Sequence, residues 1–286
     1  MIYKSYKDLS DCIRRNLWKV PTDVELVVGV PRSGMIAALM MAELLNVPCA
    51  TLDDFAEGRT MACGERSRLM QRGATGKVLV LDDTVNRGGA MSEARKRLAL
   101  LREPFTLIFG CVSARGREAK TKVDVWLEDI YSPGETWYLY EWNILHHHAD
   151  KTLASMWDID GLVCKNPPRD RNTAEYERYL SEAVPMIIPT TKVGAFVTYR
   201  LEKYRSVTEH WLRRQGIEYE RLVMFQAQSR EQRDGMMSPE RYKAQVYRSA
   251  TWARLFFESD GRQAEAIASL SGKAVFCYES GRMFCP

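Results

Sequence analysis

Apolar residues along the chain form short runs separated by polar and glycine-containing stretches. Val24 to Val30 and Val78 to Leu81 are nearly continuous runs of β-favouring residues, a pattern that predicts strands buried on both faces. Helical patterns flank these runs, namely Tyr6 to Leu17, Met35 to Leu45 and Met91 to Leu101. The alternation of such strands with helices predicts an α/β fold with doubly wound parallel sheets.

The length of the chain predicts two domains. A chain of 286 residues is long for one compact domain and sufficient for two, each with its own core. The polar segment Asn143 to Lys151 is the predicted seam, which gives domains at 1–145 and 151–286. The adjacent residues His146, His147 and His148 point in different directions on a helix, so a linker is favoured there over a metal site.

Two carboxylates follow the apolar run at Val78 to Leu81. Asp82 and Asp83 are expected at the tip of this strand, ahead of a turn that closes with Gly88 and Gly89 and leads into a helix. In open α/β sheets, ligands bind beyond the carboxyl ends of the strands, and a helix N-terminus attracts anions. Carboxylates accept hydrogen bonds from a diol or hold Mg²⁺, and glycines let a phosphate approach the backbone. The pattern predicts a site for sugar hydroxyls beside a phosphate.

A second anion-binding turn is expected at the same edge of the sheet. Arg32, Ser33 and Gly34 lie between the strand at Val24 to Val30 and the helix that begins near Met35. Farther along, Asp53 to Gly76 lacks apolar periodicity and is rich in Gly, Arg and Ser, which is typical of a functional loop or a solvated one.

These motifs resemble the ribose-5-phosphate signature of type I phosphoribosyltransferases, enzymes that use phosphoribosyl pyrophosphate (PRPP). The resemblance implies that Asp82 and Asp83 hold the ribose hydroxyls, with Asp83 also catalytic, while Arg32, Ser33 and Gly34 bind the pyrophosphate. It also implies a cradle for the 5′-phosphate, formed by Thr84, Val85, Asn86, Arg87, Gly88 and Gly89. The 53–76 segment corresponds to a loop that closes over PRPP. The aromatic segment Ile130 to Trp142 is expected either to stack on a planar acceptor or to pack at the domain boundary.

The second half carries a different set of acids and cations. Asp158 and Asp160 follow a predicted strand at Leu153 to Trp157 and precede Gly161. Two acids at this spacing can act on a phosphorus atom and on the leaving oxygen. Farther along, Thr198, Glu258 and Asp260 lie at the ends of predicted strands, and Lys243 lies in a predicted helix.

The order of these residues resembles the four motifs of haloacid dehalogenase (HAD) superfamily phosphatases. The resemblance implies that Asp158 is the nucleophile, Asp160 the general acid/base, Thr198 a ligand of the phosphoryl group and Lys243 the balancing cation. Mg²⁺ is expected on Asp158, Asp160 and an acid of the fourth motif, with Glu258 preferred and Asp260 the alternative. About thirty residues separate Asp160 from the Thr198 strand, too few for a large cap domain. The fold expected here is therefore HAD-like with a minimal cap.

The composition of the chain indicates which classes of binding partner to expect. The formal net charge of +4 suits phosphorylated ligands and does not favour nucleic acid. The seven cysteines contain no C-x-x-C pair and are typical of a reducing cytosol. No apolar run is long enough to cross a membrane, so we expect a soluble cytoplasmic protein without a membrane partner. The oligomeric state is left open, including a homo-oligomer.

Together the two resemblances predict a magnesium-dependent bifunctional enzyme. The first half would transfer phosphoribosyl from PRPP to a small acceptor such as a nucleobase and release pyrophosphate. The second would hydrolyse the phosphate monoester of the product and leave a riboside. Two alternatives stay open: a phosphatase that acts independently on unrelated monoesters, and a first half that senses PRPP as a regulatory module.

Overall fold

The computed structural model describes residues 1–61, 76–99, 105–130, 136–168 and 173–286. The chain divides into two compact units, Met1–Trp142 and Asn143–Pro286. The second unit thus begins at the first residue of the predicted seam. Each unit contains helices and a mainly parallel sheet, which confirms the prediction of an α/β protein with parallel sheets.

The first unit is built on a five-stranded sheet with the order β3-β2-β4-β5-β6, in which all neighbours are parallel. A separate parallel pair is formed by β1 and β7. The strands are β1 (Ile2–Lys4), β2 (Leu26–Gly29), β3 (Cys49–Thr51), β4 (Lys77–Val85), β5 (Thr106–Ala114), β6 (Val125–Asp129) and β7 (Tyr138–Tyr140). The helices are α1 (Tyr6–Asn16), α2 (Gly34–Leu45), α3 (Leu52–Ala56), α4 (Gly89–Leu98) and α5 (Gly116–Lys120).

The central strand β4 explains the continuous apolar run in the sequence. Val78 and Val80 belong to one core cluster, together with Met91 of α4. Leu79 belongs to the other core cluster, together with Met41 of α2. Because successive residues of a strand point to opposite faces, a sheet covered by helices on both faces needs apolar residues at every position of its central strand.

The second unit is built on a six-stranded sheet with the order β10-β9-β8-β11-β12-β13, parallel except for β13, which runs antiparallel to β12. Its strands are β8 (Ser155–Trp157), β9 (Val193–Leu201), β10 (Tyr219–Phe225), β11 (Leu255–Glu258), β12 (Val275–Cys277) and β13 (Arg282–Phe284). Its helices are α6 (Ala149–Leu153), α7 (Thr173–Glu182), α8 (Arg205–Arg214), α9 (Arg230–Met236), α10 (Pro239–Ser249) and α11 (Gly261–Ser271).

Several predicted boundaries were wrong. The strand predicted to end at Leu81 continues to Val85, because β5 is long enough to pair with it as far as Ala114. The strand predicted at Leu153 to Trp157 begins only at Ser155, since Leu153 is the last residue of α6. Most of the loop expected at 53–76 lies outside the described residues, and α3 occupies its beginning. In the described part of the chain, every helix is too short or too polar to cross a bilayer.

Candidate functional sites

In the first unit, the loop after β2 contacts the acid pair of β4. Ser33 Oγ donates a hydrogen bond to Asp83 Oδ1 at 3.1 Å. Gly34 lies against Asp82, where a Cβ atom would stand 2.9 Å from Oδ1 and 3.0 Å from Cα. Only glycine allows so close an approach. The predicted anion-binding turn and the acid pair are therefore neighbours, as expected for loops at the same edge of one sheet.

The acid pair is buried, which the sequence did not predict. Asp82 and Asp83 are 7% and 5% exposed, and both lie within β4 rather than at an open tip. Asp83 Oδ2 accepts a 2.6 Å hydrogen bond from Trp142 Nε1, and Asp82 Oδ1 accepts one from the Asp83 backbone N–H at 2.9 Å. Burial, and then the charge of Asp83, raises the pKa of Asp82 well above its usual value. The pair is thus covered by Ser33, Gly34 and Trp142.

The predicted phosphate cradle divides between strand and turn. Thr84 and Val85 belong to β4, Asn86 and Arg87 are exposed, and Gly88 caps α4 with a φ of 75° before the helix begins at Gly89. The backbone N–H groups at the start of this ten-residue helix face its N-terminal end, which attracts an anion. Arg32, on the neighbouring loop, is exposed, and the peptide bond between Pro31 and Arg32 is cis.

Two buried hydroxyl groups near the acid pair make no hydrogen bond of ordinary geometry among the described residues, although they lie close to each other. These buried atoms are Thr84 Oγ1, next to Asp83 in β4, and Tyr140 Oη, at the end of β7 and two residues before Trp142. Buried polar groups are nearly always paired in folded proteins. This part of the first unit therefore offers hydrogen-bonding capacity that a polar ligand can use.

In the second unit, a buried lysine joins two carboxylates. Lys243 Nζ donates to Asp158 Oδ2 at 2.8 Å and to Glu258 Oε2 at 2.7 Å, and all three residues are buried. Asp158 follows β8, Glu258 ends the neighbouring strand β11, and Lys243 comes from α10, which begins with Ser238 and Pro239. The adjacent strand ends thus place the acids close together, and the ammonium group compensates their charge.

The protonation of this cluster depends on both burial and charge. Burial raises the pKa of Asp158 to about 8, although the neighbouring Lys243 ammonium opposes the rise. Burial alone would lower the pKa of Lys243, but the carboxylates of Asp158 and Glu258 raise it above its ordinary value. The lysine therefore stays charged, while Asp158 keeps its proton to a higher pH than an exposed aspartate does.

Asp160 belongs to a second ionic cluster, in which the sequence reasoning missed two members. Arg200 Nη2 donates to Asp160 Oδ1 at 2.6 Å and Arg200 Nε contacts both carboxylate oxygens at 3.2 Å. Tyr179 Oη donates to Asp160 Oδ1 at 2.6 Å. Burial raises the pKa of Asp160, but Arg200 outweighs this effect and the net pKa is lowered. Arg200 stands two residues after Thr198 in β9, on the same face of the strand, and this period-two spacing was the available signal.

A cavity of about 360 Å³ connects these groups. Asp158, Asp160, Arg200 and Lys243 line it, together with Arg233 of α9. Its other lining residues include Asn166, Tyr176, Tyr199, Ser259, Asp260 and Gln263. Thr198, predicted as a ligand of the phosphoryl group, is fully buried, and its Oγ1 accepts a hydrogen bond from the backbone N–H of Arg200 at 3.3 Å.

The carboxylates predicted to hold Mg²⁺ have other partners. Asp158 and Glu258 both accept from Lys243, and Asp160 accepts from Arg200. Asp260 caps α11 by accepting from the Gln263 backbone N–H at 2.8 Å. The described residues contain no group of three or more His, Cys, Asp or Glu side chains that could hold a metal ion. This donor set does not fit a metal bound by three carboxylates.

Comparison with known proteins gives limited similarity. No family model matches the chain. "Transcriptional regulator GfcR" of Methanococcoides burtonii is 30% identical over 92 residues, which are 32% of this chain and 45% of that protein. The chain therefore spans less than half the length of the curated relative that it matches.

Solved structures that are similar to about half of the chain include two phosphoribosyltransferases. The Helicobacter pylori xanthine-guanine-hypoxanthine phosphoribosyltransferase has 16% identity and a TM-score of 0.34, covering 50% of this chain and 92% of its own. The purine phosphoribosyltransferase of Pyrococcus horikoshii has 14% identity and a TM-score of 0.35, covering 49% and 92%. Both similarities are weak, so the geometry of the sites carries the functional argument.

Proposed function

We propose that the chain is a bifunctional enzyme. The first unit transfers the phosphoribosyl group of PRPP to a nucleobase or related acceptor and releases pyrophosphate, and the second unit hydrolyses the resulting 5′-phosphate. The observation that carries the proposal is that Lys243 joins Asp158 and Glu258 at the ends of adjacent parallel strands, with Asp160 lining the same cavity. A buried carboxylate beside fixed cations is an arrangement suited to phosphoryl transfer.

In the first unit, the proposed assignments follow the resemblance. Asp82 and Asp83 hold the ribose hydroxyls, the turn from Thr84 to Gly89 holds the 5′-phosphate, and Arg32 to Gly34 hold the pyrophosphate. The contacts of Ser33 with Asp83 and of Gly34 with Asp82 support this, because they bring the sites for ribose and pyrophosphate together. Ribose hydroxyls reach Asp83 once they replace the indole N–H of Trp142. Mg²⁺ enters as the counter-ion of PRPP and belongs to the substrate.

In the second unit, a carboxylate oxygen of Asp158 attacks the phosphorus atom. A bond between Asp158 and phosphorus forms while the ester P–O bond breaks. The departing alkoxide takes a proton from solvent water and leaves as an alcohol. Water then attacks phosphorus, the aspartyl–phosphate bond breaks and Asp160 accepts the proton of the water. The lowered pKa of Asp160 favours this role as a base. Lys243 and Arg200 stabilise the negative charge that develops on the phosphoryl oxygens. No step depends on a metal bound at this site.

The test supplies PRPP, Mg²⁺ and a panel of acceptors, and measures pyrophosphate and orthophosphate separately. Asp158→Asn is expected to abolish orthophosphate release and to leave pyrophosphate release intact. Asp83→Asn is expected to abolish pyrophosphate release but to leave the hydrolysis of a supplied nucleotide intact. Glu265→Gln and Glu57→Gln, which change exposed carboxylates of the second and first unit, serve as controls. If either Asp→Asn variant loses both activities while still folded, the two-site proposal is wrong.

A second candidate function is PRPP sensing by the first unit. The similarity to a transcriptional regulator over 92 residues favours it, and so does the covered state of Asp83 under Trp142. Calorimetry with PRPP distinguishes the two functions. Binding of PRPP without pyrophosphate release for any acceptor supports the sensor, whereas turnover with one acceptor supports the transferase.

A further inference from the structure

A second cavity, also of about 360 Å³, adjoins the one at Asp158. Tyr176 of α7 and Arg233 of α9 line both cavities. A ligand that has its phosphate at Asp158 can therefore extend between these two side chains into the second cavity. The proposed phosphatase chemistry uses only the first cavity, so the second is available to the leaving group of the substrate.

Aromatic rings connect the two cavities. Tyr179, which donates to Asp160, stacks with Tyr176 at 6.0 Å between ring centroids and an interplanar angle of 18°. Tyr176 in turn contacts the ring of Tyr204 edge-to-face, at 5.4 Å and 80°. Tyr176 and Tyr204 both line the second cavity, and each is only partly buried. Tyrosine faces of this kind are platforms on which a planar ring stacks.

The charges of the second cavity are mainly positive. Among the described residues, Lys203, Arg230 and Arg233 line it against one carboxylate, Glu231. Lys203 Nζ lies 5.0 Å from the ring centroid of Tyr204, so a cation stands beside the aromatic surface. Arg233 Nη1 donates to the backbone carbonyl of Tyr199 at 2.8 Å, which fixes its position at the boundary between the cavities. Donors beside an aromatic face suit a planar ring with oxygen acceptors at its edge.

From this geometry we infer that the second cavity binds the base of a nucleoside 5′-monophosphate whose phosphate lies at Asp158. The base stacks on the Tyr204 ring and contacts Tyr176 at its edge, because these two rings are inclined at 80° to each other. Lys203 and Arg230 favour bases with carbonyl or carboxylate oxygens. The inference rests on the proposed phosphatase function and adds the site at which the base of the substrate binds. A volume of about 360 Å³ is at the lower end of the range of small-molecule sites, which favours one nucleotide over a strand.

The experiment compares uridine 5′-monophosphate (UMP) with ribose 5-phosphate as substrates of the full chain. Tyr204→Leu is expected to lower kcat/KM for UMP about tenfold, which corresponds to about 1.4 kcal/mol and lies within the roughly 1–3 kcal/mol that stacking contributes per base. Its kcat/KM for ribose 5-phosphate, which has no base, is expected to stay within about twofold. Tyr219→Leu removes a tyrosine that packs on Phe196 outside the cavity and is the matched control. Lys203→Gln is expected to reduce the preference for UMP over adenosine 5′-monophosphate.

Three outcomes would overturn the inference. One is that Tyr204→Leu lowers kcat/KM equally for UMP and for ribose 5-phosphate. Another is that the full chain hydrolyses a 5′-phosphorylated oligonucleotide faster than UMP. A binding measurement separates this inference from the proposed function. Asp158→Asn is expected to bind UMP in calorimetry, and adding Tyr204→Leu is expected to weaken that binding about tenfold, even if no monoester is hydrolysed. Absence of UMP binding to Asp158→Asn would be the third contrary outcome.

Discussion

Replacing Lys243 by methionine tests the ionic cluster of the second unit. Methionine preserves most of the side-chain volume but removes the ammonium group that serves Asp158 and Glu258. Removal of one partner from a buried ion pair costs about 3–5 kcal/mol, because the remaining charge is left buried without compensation. Lys243 has two such partners, so we expect a loss near the upper end of this range. That is a large share of the roughly 5–15 kcal/mol by which a typical protein is stable.

The loss of stability in Lys243→Met should be larger at high pH than at low pH. The pKa of Asp158 is raised to about 8 in the folded protein, compared with about 3.9 for an unfolded aspartate. A carboxyl group with a raised folded pKa binds its proton more tightly when folded, so stability falls as pH rises between the two values. Because Lys243 lowers the pKa of Asp158 in the folded protein, its removal raises that pKa further. The difference between the wild type and Lys243→Met should therefore be larger at pH 8 than at pH 5.

Urea unfolding at pH 5 and pH 8 measures this difference, and hydrogen exchange in peptides from β8 and β11 assigns it to the second unit. Lys192→Met is the control, because Lys192 pairs with Glu220 at the surface, where water screens the charges and such pairs contribute little to stability. The double variant Lys243→Met/Glu258→Gln should be more stable than Lys243→Met alone, since it also removes the buried charge of Glu258. A loss below about 1 kcal/mol at pH 8, or an equal loss at both pH values, would refute the reasoning.

Three further predictions concern the two sites. Orthophosphate release should increase with pH up to about 8, because Asp158 attacks only when deprotonated; a pH–rate profile that is already flat at pH 5 would contradict this. Gly34→Ala should destabilise the first unit by about 1–3 kcal/mol in urea unfolding, because its Cβ would press on Asp82, whereas Gly89→Ala has open space and should be neutral. Trp142→Phe should tighten PRPP binding in calorimetry by freeing Asp83 Oδ2, and weaker binding would show that the indole helps to hold the ligand.

The sequence determined the parts of the structure that depend on local pattern. The continuous apolar run from Val78 to Leu81 indicated a strand covered on both faces, and the alternation of strands and helices indicated parallel sheets. These two inferences required only the periodicity of strands and helices. The resemblance to the HAD motifs implied a common site for Asp158, Lys243 and Glu258, and in the structure Lys243 contacts both acids at the ends of adjacent strands.

Only the tertiary structure decided which groups pair with which. The sequence predicted an open acid pair, but Trp142 and the length of β5 bury Asp82 and Asp83. It expected Lys243 as the cation that balances Asp158, but it did not indicate that Arg200 pairs with Asp160. These contacts join residues that are far apart along the chain, and local patterns contain no information about the distance between such residues. Because burial and ionic pairing depend on that distance, the three-dimensional arrangement sets the charge and accessibility of each site.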